Sequence, residues 1–468
     1  MTEKKVDVAI LGSGTAGLNA TSQVGPSGKS FLLINGGEPG TTCARVGCMP
    51  SKALIQVAED YHRRTHLGRY GVDGHEGLKI DIPEAMGHVQ DLRDNFVDRV
   101  LSNSTDNMGE KFIESYARFL DPHTLELDNG DRVVAARIVI ATGSRPVVPR
   151  AWAALGERVM TTDTFFEQED LPQSVAVVGL GVIGLELGQS LSRLGVQVTG
   201  FDMAETIGGA TDPEVSDMAL EIMQRDFPIH LGRPVEIEEE GEQLRVTNGE
   251  QSVLVDRVLA SLGRTPNVEG LVLANAGIEL DLRGVPLYNP NTMQCGDSHI
   301  FIAGDVNSER PILHEAGDEG KIAGYNATQD QVTAFRRKVP LAINFCDPNI
   351  CLAGASYKSL DSDKTAIGEV RLAPVGRALI MGQNRGVIRL YADKQSGRVV
   401  GSEMITTRGE NLAHLLNWAI TQELTVGQLI QMPFYHPVIE EALQAALNNL
   451  YTQVEQKNPS PIKELIPL

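Results

Sequence analysis

Two cysteines, Cys43 and Cys48, stand in the stretch TTCARVGCMPSK, residues 41–52, and Lys52 follows Cys48 by one helical turn. A thiolate is both a nucleophile and a metal ligand. The pair could therefore be a redox couple, a metal clip or two unrelated thiols. A zinc clip uses two or more close Cys/His pairs, and Cys295, Cys346 and Cys351 supply no second pair of that kind, so no metal is expected. In a regular helix, positions five apart face different sides and lie beyond the ~7 Å Cα separation that a disulfide can bridge. A Cys43–Cys48 bond would need a distorted first turn. Gly47 tolerates such distortion and Pro50 removes a backbone donor. The spacing permits a redox disulfide without demanding one.

The elements that must carry this stretch repeat. Residues 6–12, VDVAILG, read as a buried strand, followed by Gly12, Gly14 and Gly17 at the head of the helix TAGLNATSQV and by a second strand, FLLIN, ending at Asn35. This is a βαβ dinucleotide fingerprint. Its glycines serve the tight turn, the approach of backbone to a pyrophosphate, and helix–strand packing. The pattern returns at residues 174–202 with Gly179, Gly181, Gly184 and a strand ending at Asp202. In each copy the terminal strand residue follows the first glycine by 23 positions (35 − 12 and 202 − 179). RIVIATGSRP (137–146, with Thr142 and Gly143) resembles RVLASLGRTP (257–266, with Gly263). The first copy is longer by 47 residues (143 − 12 against 263 − 179), and that surplus contains the cysteine pair and an expected helix near 84–103.

After the second copy, HIFIAGDV with Asp305, the turn at Leu313 and a helix over 315–328 are expected to return to the first unit. From about residue 340, alternating apolar segments predict an antiparallel sheet. Helices are expected over 410–422 and 436–451. The fold class expected is α/β: two Rossmann-like dinucleotide-binding domains (1–150 with 267–338, and 151–266) plus a C-terminal α+β domain, 339–468. A length of 468 residues suits about three domains. The formal net charge of −20 argues against nucleic acid or an anionic membrane as partner. Neither a signal-peptide pattern nor a spanning apolar run is present, so a cytoplasmic location is expected, where structural disulfides are rare.

With these motifs in hand, the chain resembles the class I flavin-dependent pyridine nucleotide-disulfide oxidoreductases, the family of dihydrolipoamide dehydrogenase and glutathione reductase. The resemblance rests on both glycine motifs, the CxxxxC-x-PSK segment, ATGSRP, Glu186 behind the second motif, GRTPN, AGDV and the late His436-Pro437. It implies FAD on the first copy, a nicotinamide cofactor on the second and a C-terminal dimerisation domain. It further implies that Cys48 faces the flavin and that Cys43, the more exposed thiol, meets the substrate. Lys52 would pair with Glu186 beside the flavin. His436, oriented by Glu441, would act as base from the partner subunit of a homodimer. Thr42, Ala117, Thr142, Gly143, Asp305, Leu313 and Gly263 fall at implied cofactor positions.

Three departures stand out. Asn35 replaces the usual ribose-binding Glu, Val438 and Glu440 replace Thr and Ser, and Phe434 and Tyr435 lack the extra His of lipoamide enzymes. The base is intact, but the substrate stays open. Asp202, with no arginine in DMAETIGG, favours NAD over NADP, because a carboxylate accepts from a ribose diol and repels a phosphate. The activity expected is transfer of electrons from a dithiol, dihydrolipoamide or a lipoyl-bearing protein, through the Cys43–Cys48 disulfide and FAD to NAD. The alternatives are an NADH-driven reductase of another small disulfide or oxidant, and a redox-inactive flavoprotein scaffold.

Overall fold

The computed structural model of the protein describes residues 2–468. The first strand, β1 (Glu3–Leu11), ends in four fully buried residues and runs into α1 (Thr15–Val24) and β2 (Phe31–Asn35). Near-continuous apolar runs of this kind suit strands buried on both faces of a parallel sheet. β1 lies between β2 and β6 (Arg132–Ile140), parallel to both. The sheet order is β3-β2-β1-β6-β5-β4, where β3 is Phe112–Glu114, β4 Ala117–Asp121 and β5 Thr124–Leu127. The strand Ile300–Ile302 then pairs with β6 in parallel. The chain therefore leaves this unit, builds another, and returns.

The second unit is a five-stranded parallel sheet centred on Ser174–Val178, flanked by Gln197–Phe201 and Arg257–Ala260. An antiparallel meander, Glu236–Val255, covers one side. The two repeats meet directly: Ser144–Pro146 pairs antiparallel with Arg264–Pro266, so the matched ATGSRP and SLGRTP segments form one ribbon. The C-terminal unit is an antiparallel sheet of five strands between Leu341 and Thr406, packed by helices Gly409–Thr421 and Glu441–Tyr451. The last helix starts five residues later than the sequence suggests. Pro437 disfavours helical backbone in the residue before it, which keeps His436 out of the helix, and residues 437–440 are irregular as well.

The surplus of the first copy lies between β2 and β3. It holds α2 (Thr42–Arg45), α3 (Cys48–His62), α4 (Arg64–Leu67) and α5 (Ile82–Ser102). α3 packs on α5 and on the helix Val182–Arg193 of the second unit. Leu54, Ala58, Met86 and Val89 share one apolar core with Leu185 and Leu191 of that unit and with Ile350 and Ile405 of the third. The helix carrying Cys48 is thereby anchored to all three units. No helix among the described residues is long and apolar enough to cross a membrane.

Candidate active site

The distortion demanded by the cysteine spacing is a helix break. Cys43 belongs to α2 and Cys48 opens α3, with Val46 and Gly47 between them. A Cβ on Gly47 would lie 2.9 Å from the Thr42 carbonyl oxygen and 3.2 Å from the Cys43 Cα, so the fold brings backbone here too close for any side chain. Thr41 enters the segment at φ 67, a strained value for a non-glycine residue, and its hydroxyl accepts from the Ala44 amide at 3.3 Å. Both cysteines are free thiols. Their exposures reverse the expectation: in the chain alone Cys48 is exposed and Cys43 half-buried. Cys48 sits at the open head of α3, whereas the backbone of the half-buried Cys43 is pressed close to Gly47.

The two thiols are within hydrogen-bonding reach and polarise one another. The Cys43 thiol, donating to Cys48, lowers the Cys48 pKa to about 7 against the desolvating effect of the protein around its sulfur, and the nearby Lys52 ammonium adds to the lowering. Cys43 is pushed up, first by that shared hydrogen bond and then by burial. One turn along α3, the Lys52 Nζ lies 2.6 Å from Glu186 Oε2. Glu186 is buried, and its other oxygen accepts from the Phe345 amide at 2.8 Å. The Phe345 ring lies 4.6 Å from the Lys52 Nζ, a cation–π contact. Phe345 thus touches both members of the ion pair from the third unit. No motif marks it in the sequence, where it is one more apolar residue in AINFC.

His436 Nδ1 pairs with Glu441 Oε1 at 2.8 Å, and Glu441 Oε2 accepts from the Val438 amide at 3.1 Å. His436 and then Val438 hold the Glu441 carboxyl below its usual range. A donor at Nδ1 leaves Nε2 as the free ring nitrogen, the tautomer suited to taking a proton. The His436 side chain is 80% exposed, and no hydrogen bond ties it to Cys43, Cys48 or Lys52 among the described residues. One chain assembles the thiols with Lys52–Glu186, and separately His436 with Glu441.

The two glycine motifs are superimposable in kind. Gly12 has φ 105 and Gly179 φ 94, and a Cβ on either would lie 2.3 Å from a backbone oxygen, of Ala141 and Ser261 respectively. A Cβ on Gly17 or Gly184 would stand 1.8 Å from the carbonyl oxygen of Gly12 or Gly179. Gly14 and Gly181, by contrast, face open space. That is the cradle a pyrophosphate needs at a helix N-terminus, and both motifs fit a dinucleotide. Asn35 Oδ1 accepts from the Ser13 amide at 3.1 Å, as Asp202 Oδ2 accepts from the Leu180 amide at 2.5 Å. The Asp202 Oδ1 also accepts from the Ala204 amide.

Asp305 Oδ2 accepts from the Ser144 hydroxyl at 2.9 Å, and Arg264 holds the same hydroxyl at 2.8 Å, joining AGDV to both repeat segments. Thr142 and Gly143 are tied to Asn267. Tyr116, just before Ala117, packs over Gly36 next to Asn35. Thr42 is exposed at the head of α2, and Gly263 is exposed with φ 89. Leu313, 46% exposed, lines a cavity of about 630 Å³ that opens onto Cys43 between α1, α2 and α5. Among the described residues no group of three or more His, Cys, Asp or Glu is arranged to hold a metal.

A family described as pyridine nucleotide-disulphide oxidoreductase matches residues 6–320, and the dimerisation domain of that family matches residues 340–447. A dihydrolipoyl dehydrogenase of Bacillus subtilis is 28% identical over 456 residues, covering 94% of this chain and 97% of that protein. A mercuric reductase of Lysinibacillus sphaericus is also 28% identical, over 461 residues, covering 95% of this chain and 83% of that protein. The HOCl-induced flavoprotein disulfide reductase RclA of Escherichia coli has a similar fold, with a TM-score of 0.82 at 21% identity over 96% of this chain and all of that one.

Proposed function

We propose, from the premise that this chain belongs to the pyridine nucleotide-disulphide oxidoreductases, flavoproteins that use FAD and NAD(P), that it carries electrons between a small dithiol and NAD. The reading is that of a dihydrolipoamide dehydrogenase-like enzyme working as a cytoplasmic homodimer. The observation that carries it is the thiol pair, with Cys48 poised near neutrality beside the Lys52–Glu186 ion pair. Asp202, with both carboxylate oxygens already ordered by backbone amides, supports NAD as the nicotinamide cofactor.

The Gly12–Gly17 cradle, Asn35 and Asp305 would hold FAD, which when bound would supply the two-electron relay between the thiol pair and the nicotinamide. The residues of the chain do the rest. A substrate thiolate attacks the Cys43 sulfur of the Cys43–Cys48 disulfide. A bond forms between substrate and Cys43, and Cys48 leaves as the thiolate, the better leaving group because its pKa is the lower of the two. The second substrate thiolate attacks the sulfur of the substrate that is bound to Cys43, releases Cys43, and closes the substrate disulfide. His436 of one subunit takes the two substrate thiol protons in turn on Nε2, passing one to Cys43 and one to solvent, while Glu441 holds its Nδ1–H. Lys52 keeps Cys48 anionic.

The decisive experiment is reduction of NAD⁺ by dihydrolipoamide with the purified flavoprotein. The expected result is turnover with NAD⁺ preferred over NADP⁺. A flavin-loaded enzyme that turns over no dithiol in either direction would sink the reading. A second reading, an NADH-driven reductase of another small disulfide or oxidant, is favoured by Val438 and Glu440 beside His436 and by the equal similarity to a mercuric reductase. Faster NADH oxidation with such an oxidant than with lipoamide would select it.

A further inference from the structure

The wall of the cavity beside Cys43 has an unusual charge. The chain has 61 acidic residues and a net charge of −20, yet none of them lines this cavity. Its only charged side chain is Arg99. Phe96, Arg99 and Val100, with Asn103 that caps the helix, recur at the i, i+3, i+4, i+7 spacing that puts one stripe of α5 and its end on the cavity side. The neutral polar groups of the wall are largely spent. The side chains of Asn19, Thr21, Ser22, Asn103 and Ser104 each donate to a nearby backbone carbonyl. Arg99, by contrast, has no ion pair and no side-chain hydrogen bond among the described residues. Arg93 on the same helix is different, held by Asp94 and Glu167. Met49, Phe96, Val100 and Leu313 make the remaining surface apolar.

We propose that Arg99 makes this enzyme selective for disulfides and dithiols that carry an anionic group, a carboxylate on an aliphatic body, with the sulfurs at Cys43 and the charge at the guanidinium. The inference rests on the reading of Cys43 as the thiol that meets substrate. Five guanidinium donors in a fixed fork match a carboxylate, and the part of the wall that this chain supplies sets no acidic group against an anion. In the reducing direction, His436 takes the Cys43 proton and the Cys43 sulfur attacks the substrate disulfide. A Cys43–substrate bond forms, the substrate S–S bond breaks, and one thiolate leaves. The Cys48 thiolate then attacks Cys43 and expels the second thiolate, and His436 returns its proton to a leaving group. Two electrons pass from the protein dithiol to the substrate, and the Cys43–Cys48 disulfide closes.

The test follows the reoxidation of prereduced holoenzyme by three disulfides of similar size: dithiodiglycolate (anionic), 2-hydroxyethyl disulfide (neutral) and cystamine (cationic). The expected order of second-order rate constants is anionic, neutral, cationic, with a preference for the anion over the neutral compound of about fivefold at low salt, falling as salt rises. Arg99→Gln should bring the ratios toward one, Arg99→Lys should keep much of the preference, and Arg99→Glu should invert it. Salt dependence of the wild-type ratio gives an independent measure should a variant fail to fold. A flat or reversed order, a ratio insensitive to salt, or an order that survives Arg99→Gln would overturn the assignment to Arg99 and leave the dithiol reading standing. Failure of all three disulfides to oxidise the enzyme would overturn both.

Discussion

Lys52 and the Cys43 thiol work on the same atom, the Cys48 sulfur. The hydrogen bond from Cys43 stabilises the thiolate directly, and the ammonium one turn away adds a through-space attraction, together outweighing burial and the Glu186 carboxylate. The pKa of about 7 lies below the ordinary thiol value of 9.0, so the thiolate dominates above about pH 7 and is protonated below it. In the reduced enzyme, alkylation of Cys48 by iodoacetamide should therefore rise through a midpoint near 7. Lys52→Met should move that midpoint upward by at least half a unit, since an opposite charge at this range is worth about one unit or more. A midpoint unchanged in Lys52→Met would remove the lysine from the account. The sequence makes Cys43, Cys48, Lys52 and Glu186 legible, because type and spacing are local properties. It is silent about Phe345, whose role comes from the segment just after the strand Leu341–Asn344 of the third unit, and about Arg99, whose significance lies in what does not surround it.

The repeated βαβ units were readable because each glycine answers a backbone constraint local to its own turn. The close approaches differ from one glycine to the next, and the consequences of substitution should differ with them. A Cβ at position 17 would collide with the Gly12 carbonyl, whereas one at position 14 would meet no protein atom. Gly17→Ala should accordingly destabilise the protein itself, by about 1–3 kcal/mol as overpacking does, and lower the melting temperature with or without FAD. Gly14→Ala should leave the melting temperature of the apoprotein near wild type and weaken FAD binding, read by flavin fluorescence quenching. Equal effects of the two on the apoprotein would contradict this division. The helix near the C-terminus was less legible. Its apolar pattern continues back toward His436, but the helix starts only at Glu441. The irregular segment this creates lets Glu441 turn both oxygens toward residues 436–438, an arrangement that periodicity alone does not encode.

At the scale of the whole molecule, the third unit both fixes the nucleotide-binding units and leaves part of the chemistry unassembled. The buried Glu403 accepts from the amides of Thr211 and Asp212, and the buried Asp212 carboxylate in turn holds Arg389 and the Tyr391 hydroxyl. These contacts cross from the third unit to the second, and buried charges hydrogen-bonded on several sides specify one relative placement. The same unit carries His436, exposed and bonded only to Glu441 within the site, and a match to the family's dimerisation domain. If the partner's histidine completes each site, the two halves of the chemistry can be separated genetically. Cys43→Ser and His436→Gln homodimers should each lose the reaction, the latter by about 10²–10⁴-fold in kcat, the usual range for a general acid–base group. In a heterodimer of the two variants, one site would combine the intact cysteine of one chain with the intact histidine of the other. Statistical mixing makes half the dimers of this kind, each with one working site, so coexpression should restore about a quarter of wild-type activity. Activity no higher than that of the two homodimers would mean that each chain completes its own site.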